Sequence, residues 1–192
     1  LSSLLEIAPR SPDPAQLDAL ATLVLNAKRP LLWLGGGARG AVEAATALVD
    51  RGFGAVTSTN GRAVVPEDHP RSLGAFNMTR DAQDIYAHAD LMIVVGSRLR
   101  GNETQNSLMP LPRLVQVDAD PSQAARNYPV QLFVAGDARQ VLEGLLQRLP
   151  KTLDTDSAFL ANIATARAKS EATLRAGLGP YASVAEHLSH RV

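Results

Sequence analysis

Five short apolar runs, separated by stretches of helical periodicity, constrain this chain more than any other feature. They are Leu31-Leu32-Trp33-Leu34, Gly54-Ala55-Val56-Thr57, Leu91-Met92-Ile93-Val94-Val95, Leu114-Val115-Gln116-Val117 and Leu132-Phe133-Val134-Ala135. Unbroken apolar strands are what a sheet needs when helices cover both of its faces. Three of the runs stop directly at glycine (Gly35, Gly96, Gly136) and one at Asp118. Between them, apolar residues recur at helical spacing. Helices are predicted from Asp13 to about Asn26, over 39–51, over 81–88 and over 138–149. Val42, Ala45, Leu48 and Val49 are expected on the core face of the second of these. Leu73 to Phe76 reads as one further short strand. The alternation predicts an α/β fold: a doubly wound, six-stranded parallel sheet with right-handed crossovers and helices on both faces.

The flanks read differently. Residues 1–12 hold no period and two prolines, and read as a linker from a missing upstream domain. Residues 13–150 form the central α/β domain. Beyond Pro150 the strands stop. A helix is expected from Asp156 to Arg175, a break at Gly177-Leu178-Gly179-Pro180, and another helix from 181, so 151–192 reads as a helical connector towards a missing downstream domain. The chain opens on Leu1 rather than Met, which fits a piece cut from something longer.

Composition removes several classes. Nineteen Lys and Arg balance nineteen Asp and Glu, so no long-range field draws the chain to nucleic acid or an anionic membrane. No cysteine is present, which excludes disulfides, a thiolate nucleophile and a cysteine-ligated zinc, the last being usual in sirtuin-like deacylases. The longest apolar run falls far short of the roughly 20 residues that span a bilayer. With no leader visible, the expectation is a cytoplasmic protein.

Gly35-Gly36-Gly37-Ala38-Arg39-Gly40 fits G-x-G-x-x-G between a strand and a helix, where glycine lets backbone amides approach a pyrophosphate. The same turn can close tightly with nothing bound. The acid that a dinucleotide fold places about 20 residues on, to hold the ribose, is missing from Val56-Thr57-Ser58-Thr59-Asn60, which disfavours an NAD oxidoreductase. Gly96-Ser97-Arg98 ends another strand and is expected to flank the same crevice, with Arg98 or Arg100 facing phosphate or solvent. Asp118 and Asp137 follow strands as well. Either can accept from a ribose, and Asp120 and Asp137 can equally cap the helices after them. The candidate cofactor-binding residues are thus Gly35, Gly36, Gly37, Gly96, Ser97, Arg98, Asp118 and Asp137. His187 and His190 share a helical face but lack a third ligand. His69 sits in a proline-flanked loop and His88 at a helix end.

The order of these pieces resembles the central domain of thiamine-diphosphate-dependent enzymes of the acetolactate synthase and benzoylformate decarboxylase superfamily. The resemblance is carried by RPLLWLGGGARG at 29–40, AVTSTNGRAVVPEDHPRSLGAF at 55–76, ADLMIVVGSRLR at 89–100, RLVQVDADP at 113–121 and VAGDA at 134–138. It implies a Rossmann-like, DHS-like NAD/FAD-binding type of sheet that is mainly structural and that holds FAD or ADP in some members. It implies a parent 2-oxoacid decarboxylase or carboligase in which thiamine diphosphate and Mg²⁺ sit outside this chain. The implied partners are the pyrimidine- and diphosphate-binding domains of the same polypeptide and further copies in a homo-oligomer, with no nucleic acid and no membrane. No catalytic residue is assigned here. Gly136-Asp137-Ala138 with Asn162 lacks the third glycine and the Asn pair of the family's magnesium motif. FAD-binding members carry an Asp-Asp-Arg-rich loop where this chain reads Leu99-Arg100-Gly101-Asn102-Glu103-Thr104. The alternative reading is a stand-alone FAD- or adenine-nucleotide-binding protein of related fold.

Overall fold

The structure is a computed structural model, and it describes residues 8–184. Helix α1, Pro14–Leu25, opens where Asp13 accepts a hydrogen bond from Ala15 N at 2.9 Å, with proline in the first turn, where its missing N–H matters least. The strands are β1 (Pro30–Leu34), β2 (Gly54–Thr57), β3 (Leu91–Val95), β4 (Leu114–Asp118) and β5 (Leu132–Ala135). All neighbours pair in parallel, in the order β2-β1-β3-β4-β5. The chain therefore winds outward from β1 to β2, then returns past β1 and winds the other way. The reversal lies between β1 and β3, where open α/β sheets form their crevice.

Among the described residues the sheet has five strands where six were expected. Residues 71–73 do reach the outer edge of β2: Ala55 N donates to Arg71 O (2.9 Å) and Leu73 N to Ala55 O (2.8 Å), around a single bridge between Ala55 and Ser72. The ladder then fails because Gly74 turns the backbone to φ +61°, and Thr57 N bonds Gly74 O instead. An edge segment of this length gives one bridge and no strand.

Alternation along each strand divides the core. Leu32, Leu34, Ile93, Val95, Val115 and Val117 face one side. There they pack on α1, on α2 (Val42–Arg51) and on α4 (Ala138–Leu146), which supply Leu20, Leu48 and Leu142. Leu31, Trp33, Met92 and Val94 face the other side, against α3 (Arg80–His88) and α5 (Ser157–Leu178), which supply Ile85, Tyr86, Phe159 and Ile163. The first half of α5 thus covers the sheet, whereas residues 171–177 are all exposed. Residues 182–184 are helical; the rest of the helix expected from 181, most of the 1–12 linker, and His187 and His190 lie outside the described residues. The α2–α4 layer is tied by Arg51, whose Nη1 donates to the carbonyls of Leu146 (2.7 Å) and Leu149 (3.0 Å) at the end of α4; such contacts satisfy carbonyls that have no partner within the helix.

The glycine-rich turn departs from the expected continuous helix over 39–51. Residues 36–41 form a 3₁₀ segment first, and α2 begins only at Val42. Val42 is 37% exposed rather than on the core face, which is made by Ala44, Ala45, Leu48 and Val49.

Candidate functional site

At the reversal point the two glycine loops touch each other. Gly35 N donates to Val95 O (2.8 Å), and Gly37 N donates to Gly96 O (3.0 Å). A Cβ at Gly35 would lie 2.4 Å from Gly96 O, and one at Gly96 would lie 2.5 Å from both Cα and C of Gly37. Gly96 also holds φ +60°, the left-handed region that side chains disfavour. The glycines at 35, 37 and 96 are thus explained by backbone packed on backbone, with two amides already donating to protein carbonyls.

This contact forms a ridge between two clefts at the carboxyl ends of the strands. The cleft beside β2, about 250 Å³, is lined by Gly36, Arg39, Ser58, Asn60, Ser97 and Arg100, and also by Glu103. The cleft above β4 and β5, about 280 Å³, is lined by Gly37, Asp118, Ala119, Gly136 and Asp137. Gly96 and Arg98 border both. The structure therefore brings seven of the eight candidate residues to one crevice but splits them: Gly36 and Ser97 on one side, Gly37, Asp118 and Asp137 on the other, Gly96 and Arg98 shared. Gly35 lies beneath the ridge and is buried.

The carboxylates have local partners. Asp118 accepts from Asp120 N (2.9 Å), and Asp137 caps α4 by accepting from Gln140 N (3.2 Å). Asp120 caps the 3₁₀ turn at 121–123. Hydrogen bonds from Ser122 and then Gln123 hold its carboxyl below the usual aspartate range, because they favour the charged form. Ser97 Oγ donates to Glu103 Oε2 (3.3 Å) and accepts from Leu99 N (3.1 Å). The 98–112 segment is built around the buried Thr104, whose hydroxyl donates to Arg100 O at 3.0 Å. Gln105, Asn106 and Ser107 all have positive φ, between 52° and 63°, a run that costs about 1–2 kcal/mol per residue.

Among the described residues no three His, Asp or Glu side chains come together to hold a metal. His69 lies 3.2 Å from Asp50 and accepts from Arg71 N, and His88 Nδ1 donates to Asp84 O. Asn162 sits in the groove between α3 and α5, on the opposite sheet face from α4.

Sequence reasoning did not single out Arg39, Ser58, Asn60 or Glu103. The one available signal was position, since Ser58-Thr59-Asn60-Gly61 follows directly on a strand end. Gly61 is required there because a Cβ would lie 2.0 Å from Leu34 O.

The family described as "Thiamine pyrophosphate enzyme, central domain" matches residues 17–145. Among curated proteins the chain is 34% identical over 178 residues to "Probable 2-ketoarginine decarboxylase AruI" of Pseudomonas aeruginosa, covering 92% of this chain and 31% of that protein. It is 33% identical over 144 residues to "Acetolactate synthase isozyme 3 large subunit" of Escherichia coli, covering 68% and 24%. Among solved structures, one from Mycobacterium smegmatis assigned to the thiamin diphosphate-dependent enzymes superposes with a TM-score of 0.64 at 26% identity, over 81% of this chain and 31% of that one. The chain thus spans about a third or less of the length of these relatives.

Proposed function

The chain belongs to the thiamine pyrophosphate enzyme family, whose central domain it matches, and from that premise we propose that it is the non-catalytic middle domain of an enzyme that breaks or forms a C–C bond beside the carbonyl of a 2-oxo acid. The observation that carries this reading is the match of residues 17–145 to the central domain. The similarity to a decarboxylase and to acetolactate synthases narrows the reaction to a decarboxylase or carboligase. Thiamine diphosphate, where bound, supplies a thiazolium ylid as nucleophile and electron sink. We assign its Mg²⁺-diphosphate anchor to the partner domains of the polypeptide: here Asp137 caps α4, and Asn162 lies on the opposite sheet face. In that parent, proposed to be a cytoplasmic homo-oligomer, this chain sets the spacing of the pyrimidine- and diphosphate-binding domains.

Within this role we assign the crevice a nucleotide, FAD or ADP. Asp118 keeps acceptor capacity for ribose hydroxyls beside Gly37 and Gly136, and the exposed Arg98 borders the same cleft for phosphate. NAD has less support, because β2 ends on Thr57-Ser58 with no carboxylate for its ribose.

The test is turnover of 2-oxo acids with thiamine diphosphate and Mg²⁺, comparing this 192-residue chain with the complete product of its gene. The complete product is expected to turn over and this chain alone to show none. Turnover by this chain alone, or none by a folded complete product across a panel of 2-oxo acids, would contradict the reading.

A further inference from the structure

We propose that the apolar stripe on the overhanging end of α5 docks onto the domain that follows this chain in a longer polypeptide. The inference rests on the reading of the chain as one domain of a multidomain enzyme, and it concerns a helix face outside the crevice. Phe159, Ile163, Ala166 and Ser170 recur at helical spacing and are buried on the inner face of α5. Ser170 marks the last covered turn, with its Oγ 2.8 Å from Thr79 Oγ1 at the N-terminus of α3. Because α3 leads into the start of β3, its N-terminus lies towards the carboxyl ends of the strands. Beyond Ser170 the helix therefore runs off that end of the sheet.

Its inner face stays apolar there. Leu174 and Leu178 follow Ser170 at intervals of four, and Tyr181 and Val184 come in the turns after. Leu174 and Val184 are each 55% exposed and Tyr181 is 71% exposed. A helix that had only to cover the sheet would turn polar past its last contact. Met78, next to Thr79, and Leu108, on the loop after β3, are exposed at the same end. Of the large apolar side chains exposed among the described residues, only Leu25, at the end of α1, lies at the opposite end of the sheet.

Length and connection identify the occupant. Two relatives that match over most of this chain are about three times as long, since it covers 31% of each. The stripe lies on the segment by which the chain leaves the α/β domain, so a following domain is held beside it at an effective concentration of about millimolar. A second copy has no such advantage. Each side of a stable interface takes roughly 20–30 residues, and the stripe with Met78 and Leu108 supplies far fewer.

The test is backbone hydrogen exchange over residues 171–181, read in the complete product of the gene and in the 192-residue chain. Exchange is expected to be at least about tenfold slower in the complete product, since covering one leucine side chain suffices for that factor. Leu174→Asp should remove the slowing. Ala172→Asp, at an exposed position on the other side of the helix, should keep it. Both positions are exposed in the 192-residue chain, so both variants should melt there with wild type. Exchange of residues 91–95 reports whether the α/β domain stays folded in the complete product. Equal exchange in the two proteins, or slowing that survives Leu174→Asp, overturns the proposal. So does a 192-residue chain that sediments as a dimer and dissociates on Leu174→Asp, which would give the stripe to a second copy. Slowed exchange in a complete product that turns over no 2-oxo acid overturns the catalytic reading and leaves this one standing.

Discussion

Gly96→Ala is expected to destabilise the protein by on the order of 4 kcal/mol, lowering Tm by roughly 10 °C for a chain of this size. Two effects add. The backbone at Gly96 holds φ +60°, which costs a residue with a Cβ about 1–2 kcal/mol. The new Cβ would also sit 2.5 Å from Cα and C of Gly37 and 2.6 Å from Ala38 N. All three are backbone atoms, so no side chain can swing aside. Relief requires the β1 and β3 loops to part, and parting breaks the hydrogen bond from Gly37 N to Gly96 O. Gly40→Ala is the control within the same motif. A Cβ there meets nothing within 4 Å, so stability should stay within about 0.5 kcal/mol of wild type. Equal melting temperatures for the two variants would mean that the Gly37–Gly96 contact adds nothing to stability.

Trp33→Ala should be as severe, at about 4 kcal/mol by denaturant titration, within the range for large-to-small aromatic changes. Trp33 is fully buried at the centre of the sheet, on the α3–α5 face, with its ring 5.8 Å from that of Tyr86. It lies on β1, between β2 and β3, with none of its surface exposed. Trp33→Phe separates packing from polarity. The indole Nε1 is buried with no acceptor, so phenylalanine loses volume but also removes an unpaired donor. A loss of only about 1 kcal/mol is expected for it. A loss as large as that of Trp33→Ala would mean that the indole N–H is hydrogen-bonded after all.

The strands were legible because both of their faces are buried, which makes an unbroken apolar run such as 91–95 hard to mistake. The resemblance placed the chain in its family through residues 29–40 and 89–100, and the family match over 17–145 agrees. What sequence could not supply was the destination of each backbone amide. Gly35-Gly36-Gly37 looks the same whether its N–H groups face a pyrophosphate or the carbonyls of a strand some 60 residues later. Only the side-by-side pairing of β1 and β3 shows that Gly35 and Gly37 donate to Val95 and Gly96. Ser58 was equally opaque: its buried Oγ has no hydrogen-bond partner, and an unpaired hydroxyl is a property of its surroundings. Residues 73–76 form no strand: apolar content at Leu73 to Phe76 says nothing of the turn that Gly74 imposes.

A nucleotide is expected at the carboxyl ends of β1, β3 and β4, beside the Gly37–Gly96 ridge. Amide chemical-shift mapping with ADP tests it most directly. At 100 times its Kd, a ligand bound only to the folded state also adds about 2.7 kcal/mol of stability, so melting confirms saturation independently. The predicted result is a set of shifts at Gly37, Gly96, Arg98, Asp118 and Gly136, with Asp84, His88 and Lys169 in the α3–α5 groove unmoved. Shifts confined to that groove, or none at concentrations of ADP and FAD that saturate other nucleotide-binding proteins, would contradict it.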